Sequence, residues 1–491
     1  MARIEHVVDV HISLAGRGDR TTRIYRQLRD AIVDGRLRAG TRLPPTRELA
    51  STLAVSRTTV TAAYERLIAE GFLTGRVGAG TFVRPVPTAP GDAPVAPRHG
   101  VHPRAIWRQL AAEPAPDASP ARYDFRVGVP DPDLFPLATW RRLVAGELRA
   151  TTLRRPPYAE PAGLPALRAA IARHLALSRS VRAGADDVVV TQGAQQAIDL
   201  LGRVLVEPGD RVAVEDPGYL PARQALRAAG ARIVGVPVDG EGIDVTALPD
   251  DARLVYVTPS HQFPLGVAMS PARRHALLDW AGRHGAVIVE DDYDSEFRYG
   301  ARPLDPLQSL DTAGRVVYVG SFAKTMAPML RLGFLVAPAS LIPALHAARR
   351  VADWYGDPVV AGAMARFIDE GLLARHVRRA QRTYAARREA LLDALHRRFG
   401  DRLAVVPSAA GLHVAARLTD RSLGAGRYHD LGPRLAAASR VGVAVDPLDR
   451  FCTKQNLQHG LALGFGTVPA DRIDAGIRLL ADAFGDAGAR P

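Results

Sequence analysis

Five short apolar runs, most of them ending in residues with chemistry to offer, constrain this chain more than any other feature. They are Asp187 to Thr191, Arg211 to Glu215, Leu254 to Thr258, Val287 to Asp291 and Val316 to Gly320. Each has the length of a strand, and helical patterns separate most of them. Such alternation predicts an α/β domain with a largely parallel sheet and ligand chemistry at the strands' carboxyl ends. The 491 residues exceed one compact domain and suggest two or three.

The first 84 residues follow a different rule. Ile24, Leu28 and Ile32 recur at helical spacing, and Gly35 is a natural stop. A turn through Gly40 to Pro45 follows, with Thr46 placed to cap a short helix carrying Leu49 and Leu53. Ser56 caps a third helix with Val60, Tyr64, Leu67 and Ile68 on one face and Gly71 at its end. Two short strands, Phe72 to Thr74 and Thr81 to Val83, then flank three glycines. A recognition helix needs polar and basic side chains near its N-terminus. Ser56, Arg57, Thr58 and Thr59 meet that need, with Arg57 able to fork onto a guanine edge or a phosphate. Arg47 can position the backbone, and Arg76 at the hairpin can reach the minor groove or a phosphate.

Charge supports a polyanion partner for this segment. The whole chain carries a net +13. Between Arg20 and Arg84, twelve arginines face five acids, an excess of +7 in a short stretch. A solvated arginine-rich bundle is the bland alternative, and the order of helices and wing argues against it. Residues 85 to 122 are rich in Pro and Ala and read as a semi-stiff linker, in which Trp107 and Leu110 can dock a short helix. The expected division is therefore a winged helix-turn-helix over 1–84, a linker over 85–122 and an α/β domain over 123–491. Within the last, a large domain is expected at about 155–340 and a small one from 123–154 and 341–491.

No run of about 18 apolar residues suggests a membrane span, and the start lacks the apolar core of a signal peptide. One cysteine, Cys452, excludes an internal disulfide framework and suits a reducing, cytoplasmic setting.

The stretches Gly40 to Ala50, Val55 to Val60, Tyr64 to Leu67 and Gly71 to Leu73 resemble the GntR type of winged helix-turn-helix. The likeness implies dimeric binding to two half-sites of double-stranded DNA.

The α/β domain carries a second constellation. The chain has two lysines, Lys324 and Lys454. Lys324 follows the strand ending at Gly320, with Ser321 before it and Arg331 after it. A lysine, a hydroxyl and an arginine together can serve an aldehyde and a phosphate. Lys454 lies in a polar stretch and reads as an ordinary exposed lysine. Glu290-Asp291-Asp292-Tyr293 ends another strand, where a carboxylate can pair with a pyridinium nitrogen and Tyr293 can donate to a ring oxygen. An acidic turn or a magnesium site is the other reading of those acids. Gly193, Ala194 and Gln195 pass from strand into helix and offer N–H groups to a phosphate. Tyr219 is placed to stack on a ring.

Together these resemble fold type I aminotransferases, and with the N-terminal segment the whole chain resembles the MocR group of regulators. Phe125 to Pro136, Tyr158 to Gly163, Glu215 to Tyr219, Thr258 to Pro264, Glu290 to Tyr299 and Ser321 to Gly333 carry that likeness. It implies pyridoxal 5'-phosphate as cofactor. It places Lys324 as the Schiff-base lysine, Asp291 on the pyridine nitrogen, Tyr293 on the phenolic oxygen and Tyr219 on the ring. Gly193, Ala194, Gln195, Ser321 and Arg331 would hold the phosphate, and Tyr158 would reach the neighbouring subunit's phosphate. A homodimer, swapped head to tail, is the assembly such a linker permits.

Two departures weaken transamination. Phe263-Pro264-Leu265-Gly266 stands where many aminotransferases have Asn-Pro-Thr-Gly, leaving His261 or Gln262 to meet the phenolic oxygen. Leu461 lies in the segment where a substrate-carboxylate arginine is usual, with Arg450 as the candidate replacement. The expected function is a transcription regulator sensing pyridoxal phosphate, or an amine that forms an external aldimine with it. An active aminotransferase with an accessory DNA-binding domain is the alternative.

Overall fold

In the computed structural model, residues 12–14, 19–85, 100–113, 119–149, 160–300, 304–419, 431–453 and 458–485 are described. The chain divides into two units, Met1–His102 and Pro103–Pro491. The first contains α1 (Arg20–Val33), β1 (Arg42–Leu43), α2 (Thr46–Thr52), α3 (Arg57–Ala69), β2 (Leu73–Arg76) and β3 (Gly80–Val83). Ile24, Leu28 and Ile32 of α1 are buried with Val60, Tyr64 and Leu67 of α3, so the helical spacing does become one core. Gly35 and Gly71 follow their helices with φ of +75° and +81°, a region that costs other residues a Cβ clash.

Two local expectations change. The turn through Gly40 to Pro45 contains β1, which pairs with β3 and gives the sheet order β1-β3-β2. Two residues are too few to show a period of two in the sequence. Thr46 is inside α2 rather than capping it. Pro45 occupies the cap position and makes no side-chain cap bond, because its ring carries no acceptor for the helix's first N–H groups.

The second unit starts with α4 (Ala105–Ala112), β4 (Tyr123–Phe125), α5 (Leu137–Glu147) and α6 (Pro165–Arg179). The main α/β run follows as β5 (Val188–Thr191), α7 (Ala194–Leu205), β6 (Arg211–Asp216), α8 (Leu220–Ala229), β7 (Arg232–Asp239), β8 (Gly242–Ile243), β9 (Ala252–Val257), α9 (Pro271–His284), β10 (Val287–Asp292), α10 (Leu307–Leu310), β11 (Val316–Ser321) and β12 (Gly333–Val336). The chain closes with α11 (Ile342–Ala352), α12 (Pro358–Asp369), α13 (Leu372–Phe399), β13 (Leu403–Val405), β14 (His413–Leu418), α14 (Gly432–Arg440), β15 (Val443–Pro447), β16 (Gly460–Gly464) and α15 (Ala470–Gly485).

All five expected strands are present, and they lie in one sheet of order β5-β12-β11-β10-β9-β6-β7-β8. Neighbours from β11 through β7 pair in parallel, while β12 runs against both β11 and β5. Strand β5 therefore points the same way as β11, and their carboxyl ends open on one edge. Apolar side chains on both faces explain why these strands read as continuous runs rather than as alternating ones. A second sheet, β13-β14-β16-β15-β4, brings Tyr123–Phe125 beside the C-terminal strands.

The expected small domain is narrower than its proposed ranges. Trp140 and Leu143 of α5, and Ala361 to Phe367 of α12, share a core with Val188, Val190, Phe334 and Val336 of the large sheet. Leu345 of α11 joins that sheet's other core. Apolar helices do not announce which sheet they cover, so composition could not assign them. The expected linker also contains α4, within the second unit, with Trp107 half-exposed.

Ser56 is the N-cap of α3, its Oγ accepting from the Thr59 N–H at 3.2 Å. Replacing it with Ala should destabilise the first unit by about 1 kcal/mol. Urea denaturation of the full chain checks this: the transition of the first unit should move to lower urea while that of the second stays in place.

Candidate cofactor pocket and DNA-contact surface

On the first unit, Arg47, Ser56, Arg57 and Thr58 are exposed and Thr59 is half-exposed, all near the starts of α2 and α3. Arg57 is the first residue of α3, where a helix end favours a phosphate. The hydroxyls of Thr58 and Thr59 each lie 2.7 Å from Ser56 Oγ, so these three side chains order the helix start among themselves. Arg76 is exposed at the end of β2, its guanidinium 4.9 Å from the centre of the Phe82 ring, which presents it as a pre-ordered cation.

In the second unit, the carboxyl ends of the strands open into a cavity of about 650 Å³. Gly193, Ala194, Gln195, Tyr219, Asp291, Tyr293, Ser321, Lys324, Arg331 and Arg450 all line it. Tyr158 lies outside the described residues, as does Lys454. Residues scattered over 258 positions of sequence thus share one space, which the strand alternation makes possible.

Each wall has a physical reason. Gly193 caps α7 with φ +81° and ψ 173°, and an added Cβ there would sit 3.5 Å from the Arg331 guanidinium. The first N–H groups of a helix have no acceptor within it, so this end offers donors and a positive dipole to a phosphate. Arg331 is the C-cap of a short helical turn with φ +47° and donates to Gln192 O at 2.8 Å. Ser321 closes β11 and accepts from Ala323 N–H at 3.1 Å, turning the chain toward Lys324.

Lys324 Nζ donates to Gly128 O at 2.5 Å. Burial pulls its pKa below the ordinary lysine value, although Asp294 and Asp291 pull upward. A depressed pKa favours the neutral amine, the form that attacks an aldehyde.

Asp291 and Asp292 follow each other on β10 and so face opposite ways. Asp292 turns inward to a buried ion pair with Arg179 at 2.8 Å and accepts from Tyr318 at 2.6 Å. Asp291 turns to the cavity. Its Oδ2 accepts from Tyr256 at 2.5 Å, and its buried Oδ1 has no hydrogen-bond partner. Burial raises this carboxyl to a pKa of about 7, with Tyr256 opposing and Asp292 adding to the rise. A protonated ring nitrogen is the kind of group that would complete that oxygen, so the residues present fit pyridoxal phosphate.

Tyr293 donates to His261 O at 2.9 Å, and its hydroxyl lies 3.0 Å from His261 Nδ1. Asp294 is 3.0 Å from the same nitrogen. Between the two candidates for the missing asparagine, His261 therefore supports Tyr293. Gln262 is committed to its loop through Pro217 O at 2.8 Å and Leu265 N–H at 3.1 Å. Phe263 itself faces the cavity. Leu461 is fully buried in β16, while Arg450 reaches the cavity and is held by Asp446 at 2.7 Å.

Sequence reasoning missed Tyr256, Arg179, Asp294 and His413. Tyr256 sits mid-strand among apolar residues and reads as core. The others become partners only after three or more elements meet.

Residues 20–83 match the family "Bacterial regulatory proteins, gntR family", and residues 133–456 match "Aminotransferase class I and II". The probable rhizopine catabolism regulatory protein MocR of Rhizobium meliloti is 38% identical over 469 residues, 94% of this chain and 93% of that one. The chain belongs to the MocR-type regulators. It joins a GntR winged helix to a domain of the aminotransferase fold, a family that uses pyridoxal phosphate. The pyridoxine biosynthesis transcriptional regulator PdxR of Corynebacterium glutamicum is 31% identical over 94% of this chain and 95% of its own. Among solved structures, kynurenine aminotransferase of Pyrococcus horikoshii superposes with a TM-score of 0.70 at 27% identity, over 79% of this chain and 99% of that one. As a MocR-type regulator the chain is similar over nearly its full length to transcription regulators, while its second unit keeps the fold of working enzymes. No helix among the described residues is long and apolar enough to cross a membrane.

Asp291 sets a pH test. Unfolded, its carboxyl titrates near 3.8, against about 7 when folded. Between those values the folded form holds a proton that the unfolded chain has lost. The stability this provides is present at low pH and disappears as pH rises through about 7. In cofactor-free protein, the melting temperature of wild type relative to Asp291→Asn should fall by a few degrees from pH 5 to pH 8. Thermal denaturation across that range checks it; a difference independent of pH would refute the assignment.

Proposed function

We propose that this regulator binds pyridoxal 5'-phosphate through Lys324 and changes its hold on DNA in response to the cofactor itself or to an amino compound that takes the lysine's place on it. The observation that carries this reading is the convergence of the described cofactor residues on one cavity around the half-buried Lys324. When bound, the cofactor supplies an aldehyde with which primary amines condense. Lys324 would present its amine to that aldehyde, with burial favouring the neutral form. Asp291 would face the ring nitrogen, Tyr293 would present its hydroxyl beside His261, and the start of α7 with Ser321 and Arg331 would hold the phosphate. Tyr219 supplies the aromatic wall. We also propose that the protein works in the cytoplasm as a homodimer, swapped head to tail, on paired DNA half-sites contacted by Arg47, Arg57, Thr58 and Arg76.

A route from cavity to linker supports regulation. Tyr219, Leu220, Pro221 and Gln224 line the cavity at the start of α8. Glu113, just past α4, accepts from Gln224 Nε2 at 2.7 Å and Arg227 Nη1 at 2.5 Å on that same helix. A ligand that shifts α8 thereby pulls on the chain leading back to the DNA-binding unit. Weak or half-reaction transamination is the second reading, favoured by the retained set of Lys324, Asp291 and Tyr293.

The visible spectrum with pyridoxal phosphate tests the proposal on wild type and Lys324→Ala. Wild type should show the band of a lysine-bound cofactor, and the variant should lack it. On DNA sites selected in vitro, the variant should lose the ligand response. Absence of a band in wild type would sink the reading. Glu113→Gln should keep the band yet reduce the ligand-induced change in DNA affinity several-fold, as gel-shift titration would show.

A further inference from the structure

One face of α13 carries positive charge that the second unit does not match. Arg375, Arg378, Arg379 and Arg382 recur at i, i+3, i+4 and i+7, so they share one side of the helix, and all four are exposed. Among the described residues, none of their guanidinium groups has an ion-pair or hydrogen-bond partner. The sequence from Gly371 to Arg388 contains no acid. The acids just before it are taken: Glu370 lies 2.9 Å from Arg366 and 3.6 Å from Arg142, and Asp369 lies 2.8 Å from Arg173. Further along the same face, the first acid is Glu389, about two turns past Arg382. Other exposed helical arginines are matched one turn away, Arg203 by Asp199 at 2.8 Å and Arg66 by Glu70 at 3.0 Å.

The opposite face of α13 is pinned. His376 Nε2 lies 2.7 Å from Thr325 O, Gln381 donates to Arg298 O, Tyr384 accepts from Asp131 N–H at 3.0 Å, and Arg387 pairs with Asp131. Four like charges in adjacent turns repel each other and weaken the helix that holds them. They are presented on a fixed support, so an anion that bound them would order side chains and no backbone. From Arg375 to Arg382 the helix rises about 10 Å. One DNA strand carries a phosphate for each 3.4 Å or so of rise, so about three phosphates pass along that length. Arginine meets phosphate with a planar fork and keeps its charge.

The polyanion already delivered to this chain is DNA, through the GntR-type first unit. Once that unit is bound, the linker makes any contact by the second unit intramolecular, so a contact too weak to form alone becomes populated. We propose that the Arg375–Arg382 face of α13 binds the phosphate backbone of the same DNA molecule, as a second contact without sequence preference. None of the four arginines lines the cofactor cavity, and the contact requires no ligand there.

The test uses full-length protein and DNA selected in vitro, either trimmed to the half-sites or extended on both sides by several helical turns. Affinity is measured against salt concentration. Wild type should bind the extended DNA more tightly, with a steeper salt dependence. The variant combining Arg375→Gln, Arg378→Gln, Arg379→Gln and Arg382→Gln keeps good helix formers on an exposed face. It should bind the trimmed DNA as wild type does. On extended DNA it should lose about tenfold in affinity, and its log–log salt slope should be shallower by about 3. If that variant does not fold, Arg378→Gln with Arg382→Gln is read instead, with a slope shallower by about 2. Equal wild-type affinity for the two DNAs, or a variant that keeps full affinity for the extended one, would overturn the proposal. So would an equal loss on both lengths, which would place the defect in the first unit. Sedimentation of the variant without DNA completes the test: a change in assembly from wild type would assign the face to a second copy of the chain instead.

Discussion

Asp291 and Asp292 end one strand and point to opposite faces of it, and the site is arranged around that division. Two adjacent carboxylates in a buried place cannot both stay charged without help. Asp292 receives it from Arg179 and Tyr318: burial alone would raise its pKa, but those partners bring it below the ordinary value. Asp291 has no such cation and is raised to about 7. One aspartate thus anchors the sheet edge to α6, while the other is left as an unfinished acceptor on the cavity wall. The division costs stability in the free protein and prepares a charge for a cationic ring. Removing a partner from a buried ion pair is typically worth about 3–5 kcal/mol, so Arg179 holds the frame although it never reaches the cavity.

The second dependence is between sheets. Lys324 leaves the large sheet, yet its amine is held by Gly128 O in the chain after β4, whose strand belongs to the other sheet. Asp446, Arg450 and His413 also come from that second sheet or its margins. The part of the cavity lined by Gly193, Asp291, Ser321 and Lys324 is therefore built at the ends of the large sheet's strands, and the remaining part on the second sheet. A ligand bound across the two halves would register their separation.

Much of this was legible in the sequence, for stated reasons. Strands buried on both faces advertise themselves as apolar runs, so β5, β6, β9, β10 and β11 were readable to within about two residues. Catalytic-type residues at their ends were readable because carboxyl-end chemistry follows the fold class. Ser56 was readable as a cap because hydroxyls before a helix have one common use. Other features were not legible. Thr46 looked like a cap, but the preceding proline took the place. β1 was too short to show a period. The allegiance of α5 and α12 depended on which sheet face stood empty. The His261–Asp294–Tyr293 contacts join loops from separate strands, and a local reading left His261 and Gln262 equivalent until the fold turned one of them toward Tyr293.

The choice of basic residue separates the two functions chemically. The first unit owes its positive charge to arginine, and the chain contains two lysines in all. Arginine binds phosphate through a planar fork and stays protonated, so it does not condense with aldehydes at neutral pH. Lysine can condense once burial lowers its pKa, as it does for Lys324. A DNA-binding surface made of lysine would set many amines against the one that matters, each able to react reversibly with a free aldehyde. Here the phosphate-binding charge and the aldehyde-binding amine are assigned to different side chains. Among the described residues Lys324 is the one lysine, so an aldehyde has a single lysine amine to find there, and the arginine-rich surface of the first unit keeps its charge whether or not that lysine is occupied.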